Sequence, residues 1–174
     1  MKGKILDLQA VAEESLALKR RGRRVVLTNG CFDLLHVGHV RCLRKARELG
    51  DALIVAVNSD DSVRALKGPG RPVVSDAARA EVLAALDCVD YVTIFDARTA
   101  EQLVAALQPD VYVKGGDYRP GGKAGPEACI VASYGGITVF LELEAGASTS
   151  AIINTILRRD REAHMAACEV GPWR

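Results

Sequence analysis

Arg24-Val25-Val26-Leu27-Thr28-Asn29 runs directly into Gly30-Cys31-Phe32-Asp33-Leu34-Leu35-His36-Val37-Gly38-His39. The first six residues are apolar and β-rich and read as a strand. Val40 to Leu49 carries on in a helical pattern. Two histidines therefore fall where a strand turns into a helix. A helix start leaves backbone N–H groups without intrahelical partners and presents the positive end of the helix dipole. A phosphate suits such a place. His36 and His39 share one face of the helix start. Gly38 between them leaves room for a close ligand, such as a nucleotide base or ribose.

Working outward, Leu6, Leu8, Val11, Ala12, Leu16 and Leu18 recur at roughly helical spacing. Residues 7–21 read as an N-terminal helix that Gly22 stops. The helix after the histidines spans 37–49 and ends at Gly50. Ala52–Val57 is a continuous apolar run, which suits a parallel strand covered on both faces. Asn58-Ser59-Asp60-Asp61-Ser62 caps a short helix to Leu66. Lys67-Gly68-Pro69-Gly70-Arg71-Pro72 reads as a basic loop. Ser75 or Asp76 opens a helix through Leu86, Tyr91–Phe95 is a strand, and Thr99–Leu107 is a helix. Asp110–Val113 is a fourth strand, and 119–126 is a loop. Pro126 opens a helix to about 134. Ile137–Leu141 is the last strand, and Ser148-Thr149-Ser150 caps a helix to about His164.

This alternation predicts an α/β fold, a Rossmann-like parallel sheet of about five strands with helices on both faces. The expectation is one domain over 1–174, with a core at about 24–158 and a peripheral tail at 165–174. Ligands bind such sheets at the carboxyl ends of the strands, where strand order reverses. The loops at that end carry Asp33, His36, His39, Asn58, Lys67, Lys114, Asp117 and Ser148–Ser150.

The formal net charge of +1 excludes a chain built for non-specific binding to nucleic acid or an acidic membrane. The cluster Lys19-Arg20-Arg21-Gly22-Arg23-Arg24 closes a helix, where cations complement the dipole. Five cysteines, Cys31, Cys42, Cys88, Cys129 and Cys168, are scattered without a CxxC pattern. That points to reduced thiols and a cytoplasmic protein. The first residues lack a signal-type apolar core, and no run approaches a membrane span.

No Walker loop is present, no GxGxxG follows the first strand, and there is no GxSxG elbow. What remains is a set of donors: His36, His39, Lys67, Arg71, Arg79 and two helix N-termini. Phosphoryl-type transfers need in-line positioning and stabilised charge on the phosphorus oxygens more than covalent help. Plainer readings stand beside this one. Either histidine could be a capping or core residue, and Asp33, Asn58 and Ser148–Ser150 could be plain caps. Lys67 and Arg71 could form a solvated loop, and Cys31 could be a small packing residue. Cys31, Asp33, His36 and His39 could also bind a metal, although one short segment makes a tetrahedral set awkward.

Gly30 to His39 resembles the signature of the cytidylyltransferase-like nucleotidyltransferases, with their HxGH motif. The resemblance covers roughly residues 4–158. Leu27–Asp33, Ala56–Asp60, Leu66–Val73 and Val113–Tyr118 are similar to bacterial D-glycero-β-D-manno-heptose 1-phosphate adenylyltransferases. The resemblance implies transfer of AMP from ATP to a sugar 1-phosphate. In it, His36, His39 and Lys67 are the catalytic positions. Gly30, Cys31, Phe32, Asp33, Gly38, Arg79, Lys114, Gly115, Asp117, Ser148, Thr149 and Ser150 match nucleotide-side positions. Asn58 and Arg71 match acceptor-side positions. Mg²⁺ would accompany the triphosphate through its oxygens and waters, with no protein metal site. A homodimer is implied; in many bacteria this domain is fused to a sugar kinase, and here it is expected to stand alone. Ser150 in place of a usual threonine keeps the hydroxyl. The stretches Arg119–Gly125 and Ser75–Ala78 depart further and bear on the acceptor sugar. CTP-dependent transfer to glycerol 3-phosphate, or a non-catalytic nucleotide-binding subunit, are the alternatives.

Overall fold

The computed structural model describes residues 3–115, 125–142 and 148–169. Five strands alternate with helices: α1 (Leu8–Arg20), β1 (Val25–Gly30), α2 (Val37–Arg47), β2 (Ala52–Asn58), α3 (Asp60–Lys67), α4 (Asp76–Ala84), β3 (Tyr91–Phe95), α5 (Glu101–Leu107), β4 (Val111–Gly115), α6 (Pro126–Ser133), β5 (Ile137–Leu141) and α7 (Thr149–Glu169). All neighbouring strands run parallel, in the order β3-β2-β1-β4-β5. The chain builds outward from β1 to β3, then crosses back to place β4 on the other side of β1. The order thus reverses beside β1, and the carboxyl end of β1 is where a ligand crevice opens.

Side-chain alternation along β1 sorts the sheet into two cores. Val25 and Leu27 face α1, α5 and α6, with Ile54, Ala56 and Tyr112. Val26 faces α2 and α4, with Leu53, Val55, Val57, Leu43 and Leu83. Every residue of β2 is buried, as its unbroken apolar run requires. Strand starts are pinned by carboxylates: Val25 N donates to Asp110, Leu53 N to Asp90 and Arg24 N to Asp51. Gly50 precedes that corner because a Cβ there would meet Arg24 O at 2.7 Å.

Several boundaries differ from the sequence reading. Lys67 belongs to the last turn of α3, where Gly68, at φ 91°, ends the helix. The helix opened by Asp76 stops at Ala84, and the Lys4 ammonium takes the carbonyls of Leu86 and Val89 beyond it. Residues 4–6 themselves lie along β3, with Leu6 N on Val92 O and Val92 N on Lys4 O, both at 2.9 Å. The sequence reading placed no strand there. The last helix continues past His164 to Glu169. Nothing in 158–165 breaks it, and Arg158 and Glu162 pair across one turn at 3.2 Å.

Candidate active site

A cleft of about 340 Å³ opens at the carboxyl end of β1. The N-termini of α2 and α7, the last turn of α3 and Gly115 at the end of β4 close around it. Of the residues singled out from sequence, it is lined by Gly30, Phe32, His36, Gly38, His39, Lys67, Arg71, Gly115, Ser148, Thr149 and Ser150.

The imidazoles are placed by the start of α2. His36 is its N-cap, in extended backbone, and His39 stands three residues on. Their rings stack with centroids 3.8 Å apart and planes 24° from parallel. Phe32 tilts against His39 at 5.3 Å. Phe32 reaches that position with φ 47°, a left-handed conformation that costs a bulky residue about 1 kcal/mol or more. The fold-back also needs Gly30, since a Cβ there would meet the Phe32 ring at 3.1 Å.

His39 Nδ1 accepts from the His36 backbone N–H at 3.4 Å. That assigns the ring proton to Nε2, which is left as a donor. Burial, and then the neighbouring His36, lower the His39 pKa to about 4. Burial also lowers His36. Both shifts favour the uncharged rings, burial being the larger cause, and a charge on one would repel a charge on the other at this separation. Linkage fixes the sign of a stability effect. His39 is harder to protonate folded than unfolded, so its contribution is complete above about pH 6.5 and declines as pH falls toward about 4. We expect the urea midpoint of the wild type to fall across that window, and the fall to be shallower in His39→Gln. Equal slopes would show that His39 is not the group responsible.

Three expected site residues turn inward. The Asp33 carboxylate, 1% exposed, accepts from Arg71 Nε at 2.5 Å and from the backbone N–H groups of Val73 and Val74 at 2.7 and 3.0 Å. It is neither a helix cap nor a cleft residue; it fastens the 71–74 segment to the loop after β1. Arg79, 2% exposed, donates to Cys31 O, Val74 O and Asp60 Oδ1. Asn58 is buried and donates to Ser62 Oγ and Ala97 O. Lys114, expected on the nucleotide side, is paired as well. Its Nζ lies 2.9 Å from Glu127. Burial pushes the Glu127 carboxyl up, but the Lys114 hydrogen bond and backbone donors outweigh it and hold it below the ordinary range. Cys31 presents its carbonyl to Arg79, and burial raises its thiol pKa, which makes it a poor nucleophile. Asp117 lies outside the described residues.

At the start of α7, Ser148 Oγ accepts from Ala151 N at 3.1 Å, and Thr149 Oγ1 donates to Leu34 O at 3.3 Å. The second bond ties this helix start to the loop carrying the histidines. Two helix N-termini thus face one cleft. Sequence reading missed Thr28, Asn29, Cys42 and Leu43, which also line it. Cys42 was within reach, standing one turn beyond His39 on α2. The four residues of the metal alternative do not gather: Asp33 is engaged elsewhere, and no His, Cys, Asp or Glu group among the described residues could hold a metal ion. No described helix is long and apolar enough to cross a membrane.

Paired histidines at the start of α2 and the start of α7 thus line one cleft at the carboxyl edge of a Rossmann-like parallel sheet. The chain belongs to the cytidylyltransferase-like family, whose model matches residues 27–153. It is 55% identical over 141 residues to the bifunctional protein HldE of Syntrophotalea carbinolica, covering 81% of this chain and 28% of that protein. It is also 55% identical over 153 residues to the bifunctional protein HldE of Geotalea uraniireducens, covering 88% and 31%. The chain therefore spans about 30% of the length of these curated relatives. The crystal structure of the lipopolysaccharide core biosynthesis protein from Thermoplasma volcanium GSS1 superposes with a TM-score of 0.57, covering 71% of this chain and 98% of that one. At 24% identity it is a likeness of fold.

Proposed function

We propose that this protein transfers AMP from ATP to D-glycero-β-D-manno-heptose 1-phosphate, releasing pyrophosphate and ADP-heptose. The observation that carries the reading is the stacked His36–His39 pair at the start of α2, in one cleft with Lys67 and the Ser148–Ser150 helix start. Likeness over most of the chain to the bifunctional HldE proteins supports it. The heptose assignment rests on the motif resemblance.

A phosphate oxygen of the sugar 1-phosphate attacks the α-phosphorus of ATP, a new P–O bond forms, and the bond to the β-phosphate oxygen breaks. Negative charge builds on the α-phosphoryl oxygens and on the departing pyrophosphate. His39 donates through Nε2–H and His36 through its ring N–H; one well-aimed donor in a dry site is worth roughly 10²–10³ in rate. Gly38, between the two histidines, leaves room for the nucleotide base or ribose. Ser148, Thr149 and Ser150, with the α7 N-terminus, hold the β and γ phosphates, a contribution of about 0.3–1 kcal/mol from the helix end. Lys67 neutralises charge on the leaving group, and Arg71 serves the acceptor phosphate. The described carboxylates near the cleft are engaged in ion pairs, so Mg²⁺ belongs to the substrate, riding on triphosphate oxygens and water. Arg79, Asp33 and Lys114 serve the reaction by holding the loops that carry these donors. The compartment is the cytoplasm, in keeping with the free thiols at Cys31, Cys42, Cys88 and Cys129, and a homodimer is the assembly that the family resemblance implies.

The deciding experiment measures pyrophosphate release with ATP or CTP against heptose 1-phosphate, glycerol 3-phosphate and related small phosphates. Turnover only with CTP and glycerol 3-phosphate would replace the substrate assignment. Tight nucleotide binding with no release for any pair would make the chain a binding subunit. Lys67→Ala should lower kcat/KM on the order of 100-fold, the lower end of what one well-aimed donor on the phosphates is worth. Unchanged kcat and KM would remove Lys67 from the site.

A further inference from the structure

Tyr112, in the middle of β4, is fully buried. A buried hydroxyl without a partner costs about 1–3 kcal/mol, so its proton needs an acceptor. Burial, and then the Glu127 carboxylate, push the phenol far above its ordinary pKa, so it stays protonated. It donates to Asn29 Oδ1 at 2.7 Å. Asn29 stands at the carboxyl end of β1 and lines the cleft.

An asparagine amide has one acceptor oxygen and one nitrogen with two donors. With the oxygen taken by Tyr112, the nitrogen is the end left to the cleft, and it has no partner among the described residues. The opposite orientation would turn N–H toward the phenol and strand the phenol's own proton. The tyrosine therefore fixes which way the amide points.

Charge around the cleft shows what such a donor would meet. Lys67 faces it from the last turn of α3, and Arg71 lines it with its Nε paired to Asp33 at 2.5 Å. On the β4 side the Lys114 cation is neutralised by Glu127 at 2.9 Å. Asn29 belongs to this second side, since its partner Tyr112 lies under Lys114, whose Nζ sits 5.9 Å from the phenol ring centroid. An uncharged amide beside a neutralised lysine suits an oxygen-rich, uncharged group better than a phosphate. We infer that Asn29, its amide oriented by Tyr112, donates to a sugar hydroxyl oxygen of one of the two substrates and sets where that sugar lies relative to the reacting phosphorus. The inference deepens the nucleotidyl-transfer reading and rests on it. Asn29 touches the substrate; Tyr112 is a positioning residue.

The test uses the full chain carrying Asn29→Ala, Tyr112→Phe and both together. Kinetic constants come from pyrophosphate release, and affinities for ATP and for the sugar phosphate come from calorimetry. Asn29→Ala should raise KM and Kd about tenfold for one substrate while kcat stays within about threefold. Tyr112→Phe should raise the same constants by a smaller factor, and the double variant should be no worse than Asn29→Ala. A change confined to ATP assigns the ribose; one confined to the sugar phosphate assigns the acceptor. Affinities for both ligands within twofold of wild type in Asn29→Ala would overturn the inference, as would Asn29→Ala and Tyr112→Phe penalties that multiply. An inactive wild type would sink the nucleotidyl-transfer reading, while the calorimetry would still decide for or against Asn29. Thermal midpoints of the variants separate a folding defect from a binding one.

Discussion

His39→Ala is expected to lower kcat at least about 100-fold and to leave the fold intact. The size follows from what His39 offers. Its Nδ1 is occupied by the His36 backbone N–H at 3.4 Å, so Nε2–H is the end available to the cleft. It is held between the His36 ring and the tilted Phe32 ring, and neither it nor the loop need reorganise when charge develops. Donors fixed in advance of the transition state are worth roughly 10²–10³ each, because water in the same place would have to turn. The loss should fall on kcat more than on KM for ATP, since charge on the α-phosphoryl oxygens grows as the reaction proceeds. The fold should survive because the cost is one long hydrogen bond at a helix N-cap, whose N–H can then turn to water. Single-turnover pyrophosphate release, with a thermal midpoint as control, checks both halves. Near-normal kcat in a folded His39→Ala protein would remove the histidine pair from the chemistry and with it the mechanism proposed above.

The parts of this molecule legible in the sequence are those written in short stretches. The unbroken apolar run Ala52–Val57 announces a strand buried on both faces, and β2 is one. The turn from Asn29 to Val37 announces a strand-to-helix corner, and His36 caps that helix. Alternation of strand and helix gave the parallel sheet, and the site-bearing end followed from element order alone. What stayed hidden depends on pairings across 13 to 85 residues. Lys4 reaches the carbonyl of Val89, a contact with no local signal, and it brings a further segment alongside β3. A basic residue near a phosphate cleft reads the same in sequence whether its guanidinium faces the ligand or a backbone carbonyl. Arg79 does the second, and its nearest hint was only that position 79 falls among the alanines Ala77, Ala78 and Ala80 on a helix with a buried face. Lys114 and Asp33 follow the same rule, each joined to a partner that the chain brings back from 13 and 38 residues away. Asn29 escaped because its amide is given a direction only by Tyr112, from another strand.

Arg79→Met should produce the largest loss of stability of any single change in this region, with a fall in kcat/KM alongside it. The guanidinium is 1% exposed and binds Cys31 O at 2.5 Å, Asp60 Oδ1 at 2.7 Å and Val74 O at 2.9 Å. Asp60 Oδ1 also accepts from Asp76 N at 2.8 Å, while Asp76 Oδ2 accepts from Asp60 N at 3.1 Å. One cation thus joins the loop before the histidines, the segment after Arg71 and the starts of α3 and α4. Removing one partner of a buried pair costs about 3–5 kcal/mol. The Asp60 side chain is 27% exposed and can turn partly to water, so about 2–3 kcal/mol is the expected loss. For a chain of 174 residues that lowers Tm by about 5–10 °C. Activity should fall because the loop at Cys31 and the segment at Val74, which frame His36 and Lys67, lose their common anchor. Arg79→Lys should recover little, since one ammonium cannot span three acceptors on separate elements. Thermal unfolding and steady-state kinetics of both variants separate the two roles that this arginine can have. A lowered Tm with kcat and KM both disturbed fits the anchor. An unchanged Tm with only the KM for ATP raised would mean that Arg79 turns toward the nucleotide phosphates, as the family resemblance implied.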